Sequence, residues 1–311
     1  MNVRRRLISG SAVVAATALG LGALSACSGS ASADGKSNGK LDVVASFYPL
    51  QYLAEEIGGT HVNVTNLTQP GQEPHDLEIS ARQTAQLQEA DAVLYLKNLQ
   101  PAVDDAVAQA EVKTKIDAAS LTTLEKHGNE VGGHAAAHDD SEGEGTGATD
   151  PHIWLDPVRF AEVAEGISDA LKKADPKHTA DYEKNMSALR KKFVALNTDF
   201  HNGLADTRTK TFITTHAAFG YLAERYGLTE EAINGLDPES EPSANRVKGL
   251  ETMAKADGVT TVFYETLVSD RTAGTIARDV GLRTDVLDPL EGITDKSRAV
   301  NFFRSAAVFL S

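Results

Sequence analysis

Four short stretches place groups able to hold a divalent cation where the backbone is stiff or a strand ends. His75 lies in "QEPHDLE", His152 in "TDPHIWLDP", His216 in "TFITTHAAFGY" and Asp288 in "TDVLDPLEG". Pro74 and Pro151 fix the backbone just before two of the histidines, so an imidazole there is oriented at little added entropic cost. Three neutral imidazoles and one carboxylate suit a tetrahedral Zn²⁺, which accepts nitrogen and oxygen at about 2.0–2.2 Å. The harder Mn²⁺ asks for additional oxygen donors. Taken singly, each histidine is more often a hydrogen-bonded core or surface residue than a ligand, and no compact signature such as HExxH ties them together. The gaps of 77, 64 and 72 residues mean that only folding can gather the set.

The elements that must do so alternate. "LDVVASFYPL" reads as a strand running into the helix "QYLAEEIGG", then "HVNVTNL" as strand, "SARQTAQLQEA" as helix and "DAVLYLKN" as strand. After residue 206 the alternation resumes with "TKTFITTH", "LTEEAINGL", "VTTVFYET" and "LRTDVLDPL" as strands. Such a pattern predicts an α/β fold whose mostly parallel sheets are covered on both faces. Ligands of such sheets bind at the carboxyl ends of the strands, where His75, His216 and Asp288 fall. Between the halves, Tyr182, Met186, Leu189, Phe193, Leu196, Phe200 and Leu204 recur at three- and four-residue steps, predicting one long amphipathic helix that ends near Gly203. The expected organisation is an N-terminal lobe over 41–174, a rigid connecting helix over 175–206 and a C-terminal lobe over 207–311.

Residues 126–150, "KHGNEVGGHAAAHDDSEGEGTGATD", have no apolar period and are expected to form a disordered His- and acid-rich loop within the first lobe. Two readings of His127, His134 and His138 stand: auxiliary weak metal sites that raise the local ion concentration, or incidental histidines in an acidic loop.

The first 26 residues carry Arg4, Arg5 and Arg6 ahead of a weakly apolar Ala- and Gly-rich run, the pattern of an export signal rather than of a membrane-spanning helix. Cys27 follows in "LSAC". As the sole cysteine it excludes an internal disulfide and a thiolate metal cluster. Residues 27–40 are rich in Ser and Gly and read as a tether. The formal net charge of −14 becomes −17 once the three leader arginines are removed, an acidity that argues against nucleic acid as a partner and is compatible with a cation.

"LSAC" resembles the lipobox of bacterial lipoproteins, in which the cysteine is lipidated. "GQEPHDLEIS", "DPHIWLDP", "TTHAAFGYLAERYGL", "DPESEPS" and "VLDPLEG" follow it in the order of the zinc and manganese solute-binding receptors of bacterial ABC importers, known as cluster A-I. The resemblance covers about residues 41–294. It implies His75, His152, His216 and Asp288 as metal ligands, and His216, where manganese members tend to have glutamate, points to the zinc branch. It implies two α/β lobes joined by one long helix, a lipid-anchored monomer on the outer face of the cell membrane, an ABC permease as partner and Zn²⁺ as the transported ligand. No enzymatic activity is expected. A Mn²⁺ receptor, a zinc-dependent hydrolase and a surface adhesin with a structural metal are the competing readings. The resembled family continues past its last motif into a further helix, whereas this chain stops after "DKSRAVNFFRSAAVFLS", so less cover is expected over the second lobe. Asp76 or Glu78 is the expected carboxylate partner of a ligand ring.

Overall fold

The computed structural model describes residues 39–128, 130–131, 149–267 and 271–293. The leader, Cys27, most of the tether, His134, His138 and the chain beyond 293 lie outside these residues.

The first half builds a four-stranded, fully parallel sheet from β1 (Leu41–Ala45), β2 (Val62–Asn66), β3 (Ala92–Tyr95) and β4 (Thr114–Asp117), ordered β2-β1-β3-β4. Parallel neighbours need crossovers, which α1 (Tyr48–Gly58), α2 (Ala81–Glu89) and α3 (Pro101–Gln109) supply. Ser80 starts α2 with a reciprocal cap: its hydroxyl accepts from Gln83 N–H while the Gln83 side chain accepts from Ser80 N–H. A short 3₁₀ turn at Ile153–Leu155 then leads into α4 (Pro157–Ala174), whose N-terminus is capped by Asp156.

The second half builds a five-stranded sheet ordered β5-β7-β6-β8-β9 from β6 (Thr211–Thr214), β7 (Thr229–Ala232), β8 (Thr261–Tyr264) and β9 (Arg283–Val286), all parallel, with β5 (Glu130–Val131) antiparallel on the β7 edge. The sequence reading placed residues 130–131 inside an unstructured loop; they instead extend the sheet of the other lobe. Helices α6 (Gly220–Tyr226), α7 (Ala244–Asp257) and α8 (Arg271–Val280) accompany this sheet. Among the described residues no helix is long and apolar enough to cross a membrane.

Between the sheets runs α5 (Thr179–Leu204), 26 residues and so about 39 Å long. Its buried face is the stripe read from the sequence, Tyr182 through Leu204. It packs on α1 and α4 of the first lobe and on α6 of the second. Phe193 meets Phe160 of α4 edge-on at 5.4 Å, and Phe200 stacks on Tyr226 of α6 at 5.4 Å. One apolar cluster therefore runs without interruption from β1 and α1 through α5 to α6, Leu287 and Leu290. A separate cluster lies around Ile213, Leu250, Val262 and Ile276 in the second lobe, and another covers the opposite face of the first sheet.

Candidate metal centre

His75 follows β2 in a loop that irregular backbone alone would leave loose. Gln100, buried at the start of α3, donates from its amide nitrogen to Pro74 O (3.1 Å) and Thr68 Oγ1 (3.1 Å), and Thr68 donates to Ser46 O at the end of β1 (2.8 Å). The loop is thus fixed to the strand ends beside it. His152 is held by Asp150, whose Oδ1 accepts from both the His152 N–H (2.9 Å) and the His152 ring Nδ1 (2.7 Å). His216 stands just past β6, and its Nδ1 donates to Glu265 Oε1 (2.6 Å) just past β8. In the order β7-β6-β8-β9 the strand order reverses between the parallel β6 and β8, so His216 and Glu265 flank the crevice where open α/β sheets bind ligands.

With Nδ1 committed to a carboxylate, each of these two rings presents Nε2 as its free ligand atom. The Nε2 atoms of His152 and His216 are 3.3 Å apart, each is 3.3 Å from Glu291 Oε1, and His75 Nε2 is 3.6 Å from the same oxygen. A tetrahedral ion with ligands at about 2.0–2.1 Å has ligand-to-ligand edges of about 3.3–3.4 Å. All four ligand atoms lie within 4.8 Å of one another. His75 Nε2 and Glu291 Oε1 are buried without a hydrogen bond of good geometry among the described residues, two polar atoms that a shared cation would satisfy.

His152 and His216 are fully buried, Glu291 is 2% exposed and the His75 side chain 11%, so the group opens towards solvent on the His75 side. Burial alone would lower the pKa of His152, but the charge and hydrogen bond of Asp150 and the nearness of Glu291 outweigh it and raise the value to about 9. For His216 the same contest, with Glu265 and Glu291 against burial, ends well above the ordinary histidine value. Glu291, which burial alone would raise, is held well below the usual carboxylate range by His75, His152 and His216. Glu73 points the other way: burial and the Glu291 charge push it up to about 8.

The structure thus brings His75, His152 and His216 together, with Glu291 as the fourth member. Asp288, the carboxylate expected there, lies three residues earlier and is occupied in shaping the turn: Oδ2 accepts from Thr266 Oγ1 and Oδ1 from Leu290 N–H (2.8 Å). Leu290 has a left-handed φ of 61°, rare for a branched side chain, and the turn it makes carries Glu291 towards the rings. Asp76 and Glu78 are exposed, and the carboxylates bonded to the His152 and His216 rings are Asp150 and Glu265. His127 is no member of the group; its ring bonds Asp150 Oδ2 (2.6 Å).

Residues 43–305 match the family described as "ZnuA: Zinc-uptake complex component A periplasmic". The chain belongs to the ZnuA family. A zinc-binding lipoprotein AdcA of Streptococcus pneumoniae is 37% identical to this family member over 277 residues, 88% of this chain and 54% of the relative, so the chain spans about half the length of such relatives. The high-affinity zinc uptake system protein ZnuA of Bacillus subtilis is 33% identical over 93% of this chain and 91% of its own length. Among solved structures, the Zn(II)-bound ZnuA-like domain of S. pneumoniae AdcA is similar at TM-score 0.70 with 33% identity, covering 88% of this chain and 97% of that one. The laminin-binding protein Lmb of Streptococcus agalactiae, described as bifunctional with adhesin and metal transporting activity, gives 0.75 with 30% identity over 87% and 98%. The two mostly parallel sheets flanked by helices and joined by α5 are the fold shared with these ZnuA-family proteins.

Proposed function

We propose that this chain captures Zn²⁺ outside the cytoplasmic membrane and delivers it to the permease of an ABC importer, with His75, His152, His216 and Glu291 as the ligands. One observation carries the reading: three ring nitrogens and a carboxylate oxygen, buried and facing one another, all within 4.8 Å and with the His152, His216 and Glu291 atoms 3.3 Å apart, the edge of a zinc tetrahedron. The zinc-binding and zinc-uptake descriptions of the relatives support it. Four protein ligands fill the tetrahedron and leave no coordination place for an activated water, which favours a receptor over a hydrolase. Three nitrogens to one carboxylate favour zinc over manganese. The acidic chain draws cations towards a centre whose solvent side is His75, although salt screens that attraction beyond about 8–10 Å. His75 and His152 come from the first lobe, His216 and Glu291 from the second, so release to the permease requires ligands from the two lobes to part. A lipid on Cys27 would hold a monomeric receptor at the outer membrane face, within reach of that permease.

Metal analysis of protein purified without chelator tests the reading. One zinc per chain is expected, displacing manganese in mixed loading, with none retained by a variant carrying His75→Ala, His152→Ala and His216→Ala. Zinc bound equally by that variant would end the proposal.

A further inference from the structure

His127 begins the stretch whose histidines read either as auxiliary metal sites or as incidental members of an acidic loop, yet its ring is built into the fold. Its side chain is 8% exposed. It meets the Tyr221 ring edge-on at 4.6 Å, and it lies against Gly220, where a Cβ would come within 2.5 Å of the imidazole Nδ1. Only glycine leaves room for the ring at the start of α6. Nδ1 donates to Asp150 Oδ2 at 2.6 Å, while Asp150 Oδ1 receives the two donors of His152. The backbone on either side is fixed as well: Asp150 N–H donates to Glu125 O (2.9 Å), Tyr221 Oη donates to Asp150 O (2.8 Å), and Glu125 N–H donates to Tyr221 Oη (2.9 Å).

The two oxygens of Asp150 are therefore divided between two imidazoles. A carboxylate bonded through one oxygen can still turn about its last torsion; one bonded through both cannot, and its plane is set. That plane fixes the direction from which His152 Nδ1–H is received, and hence where His152 Nε2 points.

The geometry points to His127 as a positioning residue for the metal centre, acting through Asp150 on His152 rather than as a ligand of a separate metal site. This rests on the reading of His152 as a zinc ligand. The ring atom that matters is Nδ1, which an asparagine amide nitrogen can replace; Nε2, the atom an auxiliary metal would need, has no counterpart in asparagine.

The test is competition of the purified full chain against a chromophoric zinc chelator, with far-UV circular dichroism and melting of each variant to confirm folding. His127→Ala should weaken zinc binding by about tenfold, the lower end of the range seen when an outer partner of a metal ligand is lost. His127→Asn should stay within about twofold of the parent, because it keeps the donor to Asp150. In an Asp150→Asn background, the further change His127→Ala should cost nothing more, since the two act as one unit. In NMR spectra of the zinc-loaded protein, the His152 Nδ1–H resonance should shift in His127→Ala and return in His127→Asn. Should His127→Ala bind zinc like the parent, or should His127→Asn lose as much as His127→Ala, the inference is overturned; the asparagine variant decides even where the alanine variant folds poorly. His152→Ala separates the two levels: zinc retained by it would refute the underlying ligand reading, whereas zinc lost by it and kept by His127→Ala would refute this inference alone.

Discussion

Asp150 and Glu265 do for the centre what a bare imidazole cannot: each accepts the hydrogen bond of one ring N–H, so the opposite nitrogen is left as the candidate ligand atom. The same carboxylates favour a second proton on those rings, since His152 is raised to about 9 and His216 well above its ordinary value. Protons and Zn²⁺ therefore compete, and zinc affinity should climb as pH rises from 6 towards 9. Calorimetry in two buffers of different ionisation enthalpy should show proton release on loading at pH 7. Stability without metal runs in the opposite sense. A raised folded pKa contributes stability that is complete below the unfolded value near 6.5 and is lost as pH rises through about 9, so the melting temperature of chelator-treated protein should fall across that window. Asp288 gives a second prediction at this scale. As the acceptor for Leu290 N–H it should tolerate Asp288→Asn with less than about a fivefold loss of zinc affinity, while Glu291→Gln should cost about a hundredfold or more; competition titration reads both. Asp288 and Glu291 share one irregular turn, and the choice between them depends on the positive φ of Leu290, where neither glycine nor asparagine signals it. Asp150 was more legible, because an aspartate two residues before a histidine can bond that residue's own N–H. Glu265, 49 residues from its ring, had only its place past a strand to mark it.

The elements were easier to read than the turns. The α5 stripe repeats a 3.6-residue period over seven large side chains, a signal that no loop chemistry can imitate, and the structure buries all seven. Phe193→Ala on that face should cost about 3–5 kcal/mol, because the ring fills space against Phe160, whereas Val194→Ala at the 62%-exposed neighbouring position should change stability by less than about 0.5 kcal/mol. Urea unfolding measures both, and equal effects would contradict the packing described. The β5 strand was beyond reach from sequence. Two residues carry no periodicity, and their pairing with Glu230 and Glu231 of β7 is a long-range event that local propensity cannot announce.

For the molecule as a whole, the centre draws His75 and His152 from the first half of the chain and His216 and Glu291 from the second, so one bound ion closes contacts that lie 64 to 216 residues apart in sequence. Binding to the folded state alone adds RT ln(1 + [L]/Kd), about 4 kcal/mol when free zinc is a thousandfold above Kd. For a folded part of this size that should raise the melting temperature by about 8–16 °C, reversed by chelation. A scanning fluorimetry trace unmoved by zinc would contradict the placement of the ligands. The chain also carries its own optical label. Trp154 is its single tryptophan, is 2% exposed, lies 5.2 Å from the His152 ring and donates its indole N–H to Pro289 O, two residues before Glu291. A lone fluorophore in that position reports on both lobes at once, so the filling and emptying of the protein can be followed by its emission with no dye attached.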